Sequence, residues 1–422
     1  MSHTIAIPPA RPLRLATPDS DSIANCESHE RFRYLPFLDG LRAISILLVL
    51  AFHGMGPVSI RIARAFAGWA GVDIFFVISG FLITSILQQE QTDCGSFSLS
   101  RFYTRRCLRI WPAYYAFLLV LGLTAYSNWK SIGISSIYLT NFDLALGWNV
   151  LELRIGHLWS LAVEEQFYLL WPVALLLAGR RVLPLSLGLI AAVWIWRTIL
   201  FVDGASWLRL CAGFDTRLDA ILLGCVAAII WARPDVRVKI SRALSGTWTP
   251  VVLVIAMVAS AAALGHPSER QSLRAQLLFW DLNLPLFTLL TAALILTLLV
   301  HPTSRVTRFL SHWLLVWLGR LSYSLYLWHV VAFKVWPNLE ITFLRSAFPD
   351  LPLLGFLLAQ VPNEVGRLLL SVAFASASYY LIERPFLALK KRWESDRLPV
   401  ENRDPIVVPS RSTTQSNRRR AA

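Results

Sequence analysis

The amino-acid sequence predicts an all-α, polytopic membrane bundle of about ten helices. Three observations carry that expectation. Of 422 residues, 55% are hydrophobic and 16% charged, with 17 Trp and 23 Phe, whereas soluble domains average about 45–50% apolar and about 25% charged. The apolar runs continue almost from end to end and leave no room for a separate soluble domain. No alternation of barrel type is evident, so helices must satisfy the backbone inside a bilayer.

Spans need about 20 apolar residues. Ten segments qualify: 37–56, 69–88, 110–127, 158–178, 183–201, 216–232, 248–265, 281–300, 315–336 and 366–388. The weakest is 216–232, which opens with Arg217 and Asp219. Residues 1–35 read as a disordered N-terminal tail, 36–390 as one membrane domain, and 391–422 as a disordered basic tail. Residues 1–30 lack the apolar core of a secretory signal. With the N-terminus placed in the cytoplasm, the inner connections hold 16 Lys and Arg even without the C-terminal tail, against eight outside. The bias places both termini in the cytoplasm.

The net charge of +14 is explained by these inner segments, which face anionic lipid. A nucleic-acid partner is not expected, because no soluble binding module is left over. The five cysteines show neither metal spacing nor a paired framework, so neither a metal site nor a disulfide is expected.

The first segment runs Phe37-Leu-Asp-Gly-Leu-Arg42, then ten residues, all apolar except Ser45, then His53. On a helix, Arg42 and His53 stand about 16 Å apart along the axis. Ionisable groups at such depths usually face a protein interior or a water-filled path. A snorkelling arginine and an interhelical histidine hydrogen bond are the plainer alternatives. In the second segment Asp73 lies near the depth of His53 and is a candidate to orient an imidazole or a substrate hydroxyl. Ser79-Gly80 permits close helix approach.

The first inner loop reads Arg101-Phe-Tyr-Thr-Arg105-Arg106-Cys-Leu-Arg109-Ile-Trp-Pro112. Arg105, Arg106 and Arg109 could grip phosphates through forked hydrogen bonds, though positive-inside topology also accounts for arginines here. The fourth segment opens His157-Leu-Trp-Ser160-Leu-Ala-Val-Glu164-Glu165-Gln166-Phe-Tyr168. Ser160, Glu164 and Tyr168 share one helix face and read as lining a polar cavity, with helix capping by Ser160 as the simpler role. The ninth segment repeats the opening theme: Arg320, Ser322, Tyr323 and then His329, about 13 Å beyond the arginine. In the last, Glu383 beside Arg384 is expected to form a salt bridge.

Taken together, Phe37–His53 with its Arg-x10-His spacing, Gly71–Thr84, Arg105-Arg-x-x-Arg109, His157–Tyr168, Leu318–His329 and Glu383-Arg-Pro385 resemble the bacterial membrane acyltransferase-3 family. The resemblance covers residues 37 to 388. It implies a ten-span O-acyltransferase of the inner membrane. No cofactor would be permanently bound. Acetyl-CoA or another acyl-CoA would be the co-substrate, and the acceptor a hydroxyl of a glycan, glycolipid or other metabolite. It also implies that Arg42 and His53 are the essential pair and that Arg105, Arg106 and Arg109 hold the CoA phosphates. Asp73 and Glu164 join the catalytic candidates, and Ser160, Tyr168, Ser322, Tyr323 and His329 the substrate cavity. A transporter or flippase with an intramembrane polar path is the competing expectation.

Overall fold

The computed structural model describes residues 34–54, 69–124, 126–264, 272–336 and 352–395. Among these residues every regular element is helical. The first helix, α1 (Pro36–Phe52), carries Pro at its start, where the missing N–H costs nothing. Then come α2 (Ala70–Cys94), α3 (Leu99–Leu123), and the short α4 (Trp129–Ser136) and α5 (Thr140–Leu146). A 3₁₀ turn at Leu153–Leu158 leads into α6 (Trp159–Ala178), followed by α7 (Val182–Val202), α8 (Trp207–Ala212), α9 (Phe214–Trp231), α10 (Pro234–Ala243) and α11 (Thr249–Leu264). A long helix, α12 (Leu273–Val300), contains a π turn at Leu278–Asn283. It is followed by α13 (Arg305–Leu310), α14 (Trp313–Arg320), α15 (Ser322–Val335), α16 (Pro352–Ser378), a second π turn at Tyr379–Glu383, and α17 (Arg384–Ser395).

Five helical stretches are long and apolar enough to cross a bilayer: Ala70–Cys94, Leu99–Leu123, Leu153–Val202, Leu273–Val300 and Gln360–Leu389. They hold six of the ten segments read from the sequence, because Leu153–Val202 contains both α6 and α7. The other four segments also lie on helices, each with a physical reason for falling short. The α1 helix has 17 residues. The α9 helix carries Asp215, Arg217 and Asp219. The α11 helix is short. The segment 315–336 is broken at Leu321 into α14 and α15.

The arginine-rich stretch corrects a second boundary. It is not a loop: α3 begins at Leu99, capped by the Ser98 side chain, and runs through Pro112. Cys94, at the end of α2, takes part in a disulfide, contrary to expectation. Sequence spacing does not tell which segments meet in space. The proposed tails, 1–35 and 391–422, fall almost wholly outside the described residues, as does the 55–68 connection.

The packing places α1 and α2 at the centre. The α1 helix touches α2, α13, α14 and α15, and α2 packs most extensively on α9. In the crossing of α2 and α9, a Cβ on Gly80 would sit 1.9 Å from the Ile221 carbonyl oxygen, and one on Gly224 2.0 Å from that of Val77. Only glycine allows this approach. Two thirds of the apolar window of α2 is buried (67%), against 28% for Leu153–Val202, so α7 lies toward the outside. There Leu187, Ile195, Trp196 and Ile199 are exposed, as side chains that meet lipid would be. The α1 core face, Ile46, Val49 and Leu50, packs on Leu321, Leu325 and Tyr326 of the α14–α15 segment and on Ala375 of α16.

Candidate active site

Two polar clusters lie along α1, one at each end. The His53 cluster joins three imidazoles from three parts of the chain: the end of α1, the 3₁₀ turn before α6, and the middle of α15. Ring centres are 5.0 Å apart for His53 and His329, 5.1 Å for His157 and His329, and 6.4 Å for His53 and His157. His157 and His329 are buried at 5% and 0%, while His53 is solvent-accessible. The cluster is therefore closed at its back and open at His53. Among the described residues, no three His, Cys, Asp or Glu side chains are gathered as a metal site.

Short bonds fix these rings. His53 Nδ1 lies 2.9 Å from the Val49 carbonyl, and His329 Nδ1 lies 2.8 Å from that of Tyr326. A carbonyl only accepts, so each Nδ1 carries the proton and each neutral ring keeps its lone pair on Nε2. Behind them, the Tyr326 hydroxyl donates to the His157 carbonyl at 2.5 Å. That uses its one proton, so the Ser160 hydroxyl donates to Tyr326 at 2.6 Å. Ser160 thus belongs to the cluster. It does not cap α6, which begins without a side-chain cap.

The second cluster surrounds Arg42, about 16 Å down α1 from His53. Arg42 lies within electrostatic reach of Arg109, Asp39, Glu164 and Tyr168. The Ser79 hydroxyl donates to Glu164 at 2.8 Å. The Arg106 guanidinium sits 4.9 Å over the Tyr168 ring and 5.7 Å from that of Phe102, a cation–π placement. Arg109 is exposed. Ser160, Glu164 and Tyr168, spaced by four on α6, thus join the two clusters by one polar face.

Several expected roles are redistributed. Asp73 does not orient His53: it is buried and paired with Arg217 of α9. A second buried pair, Arg197 with Asp219 at 3.0 Å, lies beside it. Buried charges need such partners, and a bare carboxylate beside an imidazole would have left Arg217 uncompensated. Arg105 is held by Glu90 at 2.5 Å, which leaves Arg106 and Arg109 as the freer pair. The Tyr323 hydroxyl donates to the Ile110 carbonyl at 3.0 Å and ties α15 to α3. Ser322 is buried, and its hydroxyl has no partner among the described residues. Glu383 does not bridge Arg384. It accepts from Ser324 and lies within electrostatic reach of Arg109 and Arg42, because the π turn at Tyr379–Glu383 rotates it into the bundle.

His157 and Tyr326 were not singled out as site residues by sequence. Tyr326 stands three residues before His329 and so on its face, a signal that was available. His157 stands at the head of the fourth segment, but its place beside His329 depends on how the 3₁₀ turn meets α15.

Comparison with known proteins follows the same outline. The sequence model of a family described as an acyltransferase domain (Acyl_transf_3) matches residues 35–363. The peptidoglycan O-acetyltransferase OatA of Listeria monocytogenes is 32% identical over 344 residues, covering 74% of this chain and 51% of that protein. The O-acetyltransferase OatA of Staphylococcus aureus (strain NCTC 8325 / PS 47) is 32% identical over 390 residues, covering 84% of this chain and 57% of that protein. The chain therefore spans between half and three fifths of the length of these relatives. No solved structure matches it.

Proposed function

Since the chain belongs to this acyltransferase family, we propose that it is a membrane O-acyltransferase that moves an acyl group, acetyl in the first instance, from cytoplasmic acyl-CoA to a hydroxyl of a cell-surface or lipid-linked carbohydrate. The relatives named for O-acetyl transfer, one of them to peptidoglycan, support the reaction class and a glycan acceptor. The observation that carries the reading is the arrangement on α1. One helix bears an accessible imidazole near one end and, about 16 Å away, an arginine beside two further arginines. The phosphates of CoA would be held by Arg106 and Arg109 with Arg42 behind them, through forked charge-assisted bonds. The long acyl-bearing arm would run along the polar face of α6 toward His53.

At His53 the chemistry is proton transfer. Nε2 takes the proton of the acceptor hydroxyl as its oxygen attacks the thioester carbonyl. A C–O bond forms, the C–S bond breaks, and the leaving thiolate recovers the proton from the imidazolium. An acyl-imidazole at His53 is the alternative order of the same bonds. In keeping with the positive-inside bias, the reading includes a bacterial inner-membrane location, a ten-span body and both termini in the cytoplasm.

The test is consumption of acetyl-CoA by the purified full chain in detergent with carbohydrate acceptors, followed as free thiol and as acetylated product. Product formation dependent on His53 supports the proposal. Movement of a glycan across vesicles without thioester cleavage would favour a transporter and reject it.

A further inference from the structure

The His53 cluster holds more hydrogen-bonding capacity than one proton abstraction uses. His53 and His329 both commit Nδ1–H to carbonyls of their own helices. Each neutral ring therefore presents Nε2 as a lone pair, facing away from its helix. The lone pair of His53 is the base of the reaction proposed above. That of His329 is fully buried and has no partner among the described residues. Its ring centre is 5.0 Å from that of His53. A buried acceptor without a donor is costly, and native proteins rarely leave one. Beside a reacting atom, it marks a place where a ligand supplies the donor. A thioester group has none, because its oxygen and sulfur only accept. A polyhydroxylated acceptor has one on every hydroxyl.

We propose that His329 is a specificity-determining residue whose Nε2 accepts a hydrogen bond from a second O–H or N–H of the acceptor, next to the hydroxyl that His53 deprotonates. The acceptor class is then a polyol: a sugar ring with adjacent free hydroxyls, or an amino sugar whose amide N–H neighbours a hydroxyl. Two rings 5.0 Å apart can be bridged by substituents on neighbouring carbons. A lone alcohol would leave the buried lone pair unmet, and sites built for a hydroxyl reject analogues that lack it. Phe333, whose ring centre lies 5.6 Å from that of His329, walls the position, and His157, at 5.1 Å, brings a ring whose nitrogens also have no partner among the described residues. Its one N–H is the competing donor, and a lone pair filled by it would leave a diol and a lone alcohol bound equally. The inference rests on the acyl-transfer reading for the role of His53, so its test is made to run without turnover.

The experiment measures binding by calorimetry to the full chain carrying His53→Ala, in detergent. The probes are cis-1,2-cyclohexanediol and cyclohexanol, which differ by one hydroxyl. The diol is expected to bind about tenfold tighter or better, the scale of an unmet buried acceptor. Adding His329→Phe, which keeps a ring but removes the lone pair, is expected to bring the two probes to near parity. Adding His329→Gln, which restores an acceptor oxygen, is expected to recover much of the preference. Equal affinities without a change at His329, or a preference that survives His329→Phe, overturn the proposal. The pantetheine amide of CoA also carries an N–H. If His329→Phe weakens acetyl-CoA binding and leaves the diol preference intact, the lone pair serves the donor and the proposal is wrong. Acetyl-CoA turnover by the parent chain is read separately: its absence rejects the acyl-transfer reading while the binding preference still decides the role of His329.

Discussion

The Tyr326 hydroxyl has one proton and gives it to the His157 carbonyl, so Ser160 must supply its own proton to the Tyr326 oxygen. The direction of these bonds sets the ranking of two substitutions. Tyr326→Phe strands both the Ser160 hydroxyl and the His157 carbonyl, and is expected to lower stability by about 1–3 kcal/mol. Ser160→Ala removes one donor from an oxygen that keeps its other bond, and is expected to cost about 1 kcal/mol. Denaturation midpoints of the two variants check the order; an equal or reversed ranking rejects the bond directions. The arginines separate in the same way. Arg105 is spent on Glu90, whereas Arg106 sits over the Tyr168 ring and Arg109 is exposed. Arg106→Ala should weaken acyl-CoA binding about tenfold or more, the scale of a hydrogen bond to a charged group. Lys should be a poor substitute because it lacks the planar fork. Arg105→Ala should affect binding less. Equilibrium titration with acetyl-CoA checks this, and parity between the two alanine variants would show that all three arginines act alike.

Among the helices, the crossing of α2 and α9 is the joint on which the site depends. It combines two glycine contacts with the buried Asp73–Arg217 ion pair. Asp73→Asn leaves Arg217 uncompensated, and a broken buried pair costs about 3–5 kcal/mol. The prediction is a large loss of thermal stability with acyl-CoA affinity retained in the folded fraction. Loss of catalysis in a protein of unchanged stability would instead return Asp73 to the active site. This joint also shows what was legible in the sequence. Ser79-Gly80 could be read as a close approach, and Asp73 as a buried carboxylate, because both are local facts. The partner could not, since Arg217 lies 144 positions away, in the segment that reads as the weakest of the ten. The start of α3 was missed for a related reason. Arginines lower the hydropathy of a helix whose long side chains reach toward water, so the polar half of α3 read as a loop. The break at Leu321 follows Gly319 by two residues, but a single glycine inside an apolar run is tolerated in a helix and does not by itself announce an end. By contrast, the Arg42 to His53 spacing was fully legible, because both groups lie on a single helix whose rise per residue is fixed.

Across the whole molecule, the arginine cluster and the histidine cluster lie at opposite ends of α1 and are joined by the polar face of α6. The account therefore assigns the donor to one membrane face and the acceptor to the other. General-base catalysis contributes about 10²–10⁴-fold, so His53→Ala should lower transfer by that amount with acyl-CoA binding preserved; a loss under about threefold would mean that His53 is structural. Sidedness is the sharper consequence. The decisive measurement uses the full chain reconstituted in vesicles of known orientation, with radiolabelled acetyl-CoA confined to the face that bears Arg106 and Arg109. An impermeant oligosaccharide acceptor is supplied on the same face or on the opposite one. The account predicts acetylated oligosaccharide only when the acceptor is on the opposite, His53 face, and none when His53 is alanine. Acetylation of acceptor supplied only on the donor face would contradict it.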